Sequence, residues 1–190
     1  MTAAARMERI AEASPRFKAP GFRARMAGAL QIFSLLTAGL TETFVHGWLN
    51  YAGGYIAIAG MAVVTLLYYD LFKPVSRSLA LLAAAIALVG LTFEAFRWQP
   101  QGVNIAIVVH GFYCILIGYL IFRATFLPRI LGALMALAGL GWLTFVSPPL
   151  VNYLSPYNLA AAILAELSLT LWFLVMGVNV QRWKEQADAA

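Results

Sequence analysis

The stretch QGVNIAIVVHGFYCILIGYLIFRATFLPRILGALMALAGLGW, Gln101–Trp142, reads as two apolar helices joined by a short basic turn. Within the turn, FRATFLPRILG carries Arg123 and Arg129, and Pro128 opens the second helix. Two apolar runs joined by such a turn form a transmembrane hairpin with the turn on the cytoplasmic side. The first arm holds His110, one of two histidines in the chain.

The whole chain is 62% hydrophobic and 11% charged over 190 residues, with a mean hydropathy of +0.80. Soluble domains are about 45–50% apolar and about 25% charged, so this composition belongs to an integral membrane protein. The length accommodates six spans of about 20 residues with short connections and no separate soluble domain. The net charge of +5 does not indicate a nucleic-acid partner. The cations cluster at the ends of apolar runs, with no basic helix face or aromatic platform between them. The single cysteine, Cys114, excludes an internal disulfide or a cysteine cluster and reads as an inert small hydrophobe.

Residues 1–25 form a basic cytoplasmic tail interrupted by Pro15 and Pro20, with a surface helix over 3–13 as the alternative. Residues 26–181 form an all-α domain of six transmembrane helices, and 182–190 a short cytoplasmic tail. The spans are Met26–Trp48, Gly54–Phe72, Ser78–Trp98, Val103–Arg123, Ile130–Val146 and Tyr157–Val180. Tyrosine and tryptophan mark their ends, and Gly or Pro pairs fall between them. Twelve of the thirteen Lys/Arg residues lie on one side of this scheme, with Arg97 alone on the other. Both termini are therefore expected in the cytoplasm. Arg77–Phe93 matches Arg129–Phe145 at eight of seventeen positions. The small residues Ala80, Ala84, Gly132, Ala136 and Gly139 are expected to let helices approach closely.

Five ionisable residues fall inside or at the rim of these spans: Glu42, His46, Glu94, His110 and Glu166. Counted by helical rise from the outer boundary, Glu94 lies about 6 Å deep, Glu42 about 9 Å, and His110 and Glu166 about 10–14 Å. Glu42 and His46 are expected on one helix face, and Arg97 is placed to pair with Glu94. A charge within a bilayer costs about 2.5–3.5 kcal/mol on insertion scales, so these groups should face the bundle interior and one another. Three uses are open: a packing network assisted by Thr37, Thr41, Asn104, Ser168 and Thr170; an outward-opening pocket for a ligand or proton; or a metal site drawn from His46, His110, Glu42 and Glu166. No nucleophile elbow, HExxH helix or phosphate loop is present, and the sequence requires no cofactor. Asp70 and Lys73, three residues apart, read as a rim ion pair.

Three strings, KPVSRSLALLAA (Lys73–Ala84), ILIGYLIFRATFLPRILGALMALAGLGWL (Ile115–Leu143) and ELSLTLWFLVMGVNV (Glu166–Val180), resemble the family catalogued as domain of unknown function 4386. The resemblance implies a small bacterial membrane protein of about six spans, with carboxylates like Glu42, Glu94 and Glu166 in corresponding spans. It brings no activity with it. The functional expectation is a binding, sensing or transport-like role through the Glu/His cluster, with a homodimer or larger membrane complex as the assembly. An intramembrane metal-dependent enzyme and an accessory subunit of a larger complex are the alternatives.

Overall fold

The computed structural model describes residues 19–189, and every regular element in them is helical. In chain order these are α1 (Pro20–Phe44), α2 (Trp48–Phe72), α3 (Arg77–Ala95), α4 (Ile105–Arg123), α5 (Arg129–Leu143), α6 (Pro148–Leu154), α7 (Tyr157–Val175) and α8 (Val180–Asp188). Single 3-10 turns follow α3 and α5. The alternative surface helix over 3–13 lies outside the described residues.

Helix boundaries follow from local chemistry. The side chains of Ser76, Asn104 and Asn179 each accept from a backbone N–H in the first turn of α3, α4 and α8. Such bonds satisfy donors that have no partner inside the helix. Pro20, expected to interrupt the tail, instead opens α1, where its missing N–H costs nothing. At the other end, the last long helix stops at Val175 rather than Val180. Gly177 there takes a left-handed conformation (φ 71°) and its N–H returns to the Trp172 carbonyl. The chain then restarts as α8, which is tied to the α4–α5 turn through Gln186 and Arg182.

Five helices, α2, α3, α4, α5 (with its 3-10 extension) and α7, are long and apolar enough to cross a membrane. At 25 residues α1 is long enough as well, but Gln31, Ser34, Thr37, Thr41 and Glu42 dilute its apolar character. Packing runs α1 on α2, α2 on α3, α3 on α4, α4 on α5, α5 on α7 and α7 back on α1, which closes a ring.

Lipid is as apolar as a leucine side chain, so association of such helices rests on close packing and hydrogen bonds. The α4–α5 seam shows how close that packing is. A Cβ on Gly118 would lie 2.7 Å from the Gly132 carbonyl oxygen, and one on Gly139 would lie 2.6 Å from that of Gly111. Two glycines seven residues apart on each helix therefore bring the antiparallel backbones into contact. Gly132, Ala136 and Gly139 sit at this seam, and Ala80 and Ala84 are buried on α3.

One end of the ring is filled. Tyr68, Phe72, Phe126 and Phe173 are buried in an aromatic stack with centroid separations of 5.3–6.2 Å. Trp183 of α8 covers this end, donating to the Leu71 carbonyl at 2.9 Å. Lys73, Arg77, Arg123, Arg129 and Arg182 belong to the connections and helix ends around it. Asp70 here receives Lys73 at 2.7 Å and Arg23 at 3.5 Å.

Candidate binding cup

The other end of the ring is open. A cavity of about 520 Å³ runs inward from the α1–α2 and α3–α4 connections, lined by α1, α2, α3, α4, α5 and α7. Its walls are largely apolar, with Leu35, Ile58, Met61 and Leu91 among them. Glu42, Asn50, Glu94 and Arg97 stand around the mouth, and His110, Tyr113, Trp142 and Glu166 lie at the base. Cavities of about 300–1,000 Å³ with a few convergent polar groups are the usual form of a small-molecule site.

At the base, α4 and α7 face each other. His110 Nε2 and Glu166 Oε1 are 3.0 Å apart, and the Cys114 thiol donates to the same oxygen at 3.5 Å. From α5, Trp142 Nε1 donates to it as well. All three contacts therefore converge on Oε1, and Glu166 itself is part of the cavity lining. The Glu166 side chain is 11% exposed and that of His110 31%, so both are reachable from the cavity while Cys114 lies fully buried behind them. Tyr113 lies beside the His110 ring at a centroid distance of 5.6 Å, and Trp142 meets it edge-on at 6.1 Å. The floor continues through Tyr68, whose hydroxyl donates to Gln31 Oε1 at 2.7 Å. Ser34 Oγ, also on the lining, is buried with no hydrogen-bond partner among the described residues. A buried polar atom of this kind is ordinarily satisfied by water or ligand.

Of the five ionisable residues singled out in the sequence, the structure brings His110 and Glu166 together and places Glu42 and Glu94 exposed at the mouth. His46 is not on the cavity lining. The expectation that Glu42 and His46 share a helix face is overturned, because α1 ends at Phe44 and Val45 is extended. Gly47 (φ 72°) then turns the chain into α2. The metal set expected from the sequence joins Glu42 and His46 to His110 and Glu166. Among the described residues, the group with metal-ligand spacing is His110, Cys114 and Glu166. Cys114 is thus not simply an inert hydrophobe.

The Arg97–Glu94 pairing is also replaced. Arg97 has a left-handed backbone (φ 49°) that turns its guanidinium toward α2. There it donates to Asn50 Oδ1 at 2.7 Å and stacks 4.4 Å over the Tyr51 ring. The hydroxyls expected to knit helices together mostly bond within their own helix: Thr37, Thr41, Ser168 and Thr170 return to carbonyls three or four residues back.

The apolar helices and their ring define a helical integral membrane protein. Residues 91–177 match the family model described as Domain of unknown function (DUF4386). The matched segment carries His110, Cys114, Trp142 and Glu166. No curated protein and no solved structure matches the chain.

Proposed function

We propose that the chain is a six-span membrane protein that admits a small cationic or hydrogen-bond-donating ligand into the cup and holds it on Glu166. In this reading α1 is the sixth span, and its polar residues are those that face the cavity rather than lipid. The basic residues around the plugged end favour a cytoplasmic position for that end and for both termini, so the mouth opens outward, in a bacterium toward the periplasm. The observation that carries the reading is the carboxylate on the lining of a cavity with apolar walls, its Oε1 held in place by His110, Cys114 and Trp142. Ionisable groups retained inside a bundle face its interior or a water-filled cavity and mark substrate and ion pathways. Glu42 and Glu94 at the mouth draw a cation inward, and the apolar walls take the body of the ligand.

A compact aromatic amine tests this. Benzylamine titrated calorimetrically into the nanodisc-reconstituted chain, against lipid-only nanodiscs, is expected to bind saturably and more tightly than benzyl alcohol or benzoate. Ala87→Trp, which fills the cavity wall, and Glu166→Leu should each weaken binding at least about tenfold, or ~1.4 kcal/mol. Equal binding of amine and carboxylate, or variants that bind like the wild type, would refute the reading.

A further inference from the structure

His110 and Cys114 are four residues apart on α4 and so face the same way, toward Glu166 on α7. The imidazole nitrogen, the sulfur and a carboxylate oxygen lie within 4.8 Å of one another. The two measured edges are 3.0 Å for His110–Glu166 and 3.5 Å for Cys114–Glu166. A tetrahedral dication with bonds of about 2.0–2.3 Å needs ligand separations of roughly 3.4–3.6 Å. The Cys114–Glu166 edge therefore fits as it stands, the His110–Glu166 edge must open by about 0.4 Å, and the His110–Cys114 edge, within 4.8 Å, is brought into that range by side-chain rotation.

We propose that the base of the cup binds one zinc-type transition-metal dication through His110 Nε2, Cys114 Sγ and the Glu166 carboxylate, with its fourth position open to the cavity. This rests on the reading of Glu166 as the ligand-holding group and places a metal between that carboxylate and the ligand. Charge is the first argument. On binding, the thiol proton leaves through the cavity to bulk water, so a thiolate and a carboxylate together neutralise a dication. A neutral site is what a low-dielectric bundle interior tolerates. Ligand softness is the second, since a sulfur and an imidazole select zinc, cobalt or iron over magnesium or calcium. The third is the surrounding shell: Trp142 Nε1 donates to the carboxylate and fixes its orientation, as partners of metal ligands commonly do. His110 and Glu166 line the cavity whereas Cys114 lies behind them, so the metal's remaining position faces the open space. Three protein ligands with one open position are the arrangement of a site that binds or activates a further molecule.

Cobalt(II) added to the tag-free, chelator-washed full chain in detergent is the test, because Cys114 is the only sulfur thiolate the chain can supply. The expected result is saturation near one cobalt per chain, with a near-ultraviolet thiolate-to-cobalt charge-transfer band that zinc displaces. Cys114→Ala and the near-isosteric Cys114→Ser should abolish the band. His110→Ala and Glu166→Gln should each weaken binding at least about tenfold, with circular dichroism reporting that the variants are folded. Absence of saturable cobalt binding, or a wild-type spectrum without the sulfur band, would overturn the proposal; that spectrum decides even if a variant does not fold. Benzylamine binding without cobalt binding would remove the metal and leave the cup, whereas loss of both would remove the cup as well.

Discussion

Three donors from two other helices meet on one oxygen of Glu166, and the carboxylate's value to the fold can be separated from its charge. Glu166→Gln and Glu166→Leu both remove the charge, but only glutamine keeps an acceptor for His110, Cys114 and Trp142. Hydrogen bonds between helices in membranes average roughly 0.6 kcal/mol each. The leucine variant should therefore be less stable than the glutamine variant by about 2 kcal/mol. Equilibrium unfolding in mixed micelles measures the difference, and equal stabilities would show that the three contacts contribute nothing. Glu166 and His110 were legible in the sequence because an ionisable side chain in the middle of an apolar run is too costly to be incidental. Cys114 and Trp142 were not, since a cysteine among apolar neighbours reads as packing and nothing in the local sequence marks Trp142 as facing a carboxylate on another helix. His46 was misplaced because nothing in the local sequence shows that α1 stops at Phe44, before the turn at Gly47.

Among the helices, backbones approach closely at the α4–α5 seam, where Gly118 faces Gly132 and Gly111 faces Gly139. A methyl group at Gly132 would meet the Gly118 carbonyl at 2.8 Å, so the helices must move apart. Overpacking of this kind typically costs about 1–3 kcal/mol. Gly132→Ala is expected to lower the unfolding midpoint, whereas Gly39→Ala on α1, with nothing within 4 Å of the added methyl, should leave it unchanged or raise it. Thermal unfolding of the two variants side by side checks this; equal midpoints would mean that the seam is looser than described. The helices themselves could be read from apolar runs and from the breakers between them, but not α1's partial polarity as a sign of what it faces. Gln31 and Ser34 lower the apolar character of α1, and in the fold they line the cup. The end of α7 was overestimated because Met176–Val180 is apolar enough to continue a helix, and only the left-handed turn at Gly177 stops it.

On the scale of the molecule, a ring of six helices filled at one end by Tyr68, Phe72, Phe126 and Phe173 and open at the other makes a blind cup. The all-helical class followed from composition, and the distribution of cations along the chain assigned a side to each connection. The cavity itself could not be read, because its lining comes from six helices whose facing sides are set only by their packing. The central claim, a cavity open to the outside with Glu166 at its base, is tested most directly by thiol labelling of intact cells with a membrane-impermeant methanethiosulfonate. In a Cys114→Ala background, Ala87→Cys and Ile107→Cys on the cavity lining should react from outside. Leu88→Cys and Phe112→Cys, on exposed helix faces away from the cavity, should not. Lining positions as inert as these two, or reactive only once the cytoplasmic side is opened to the reagent, would contradict it.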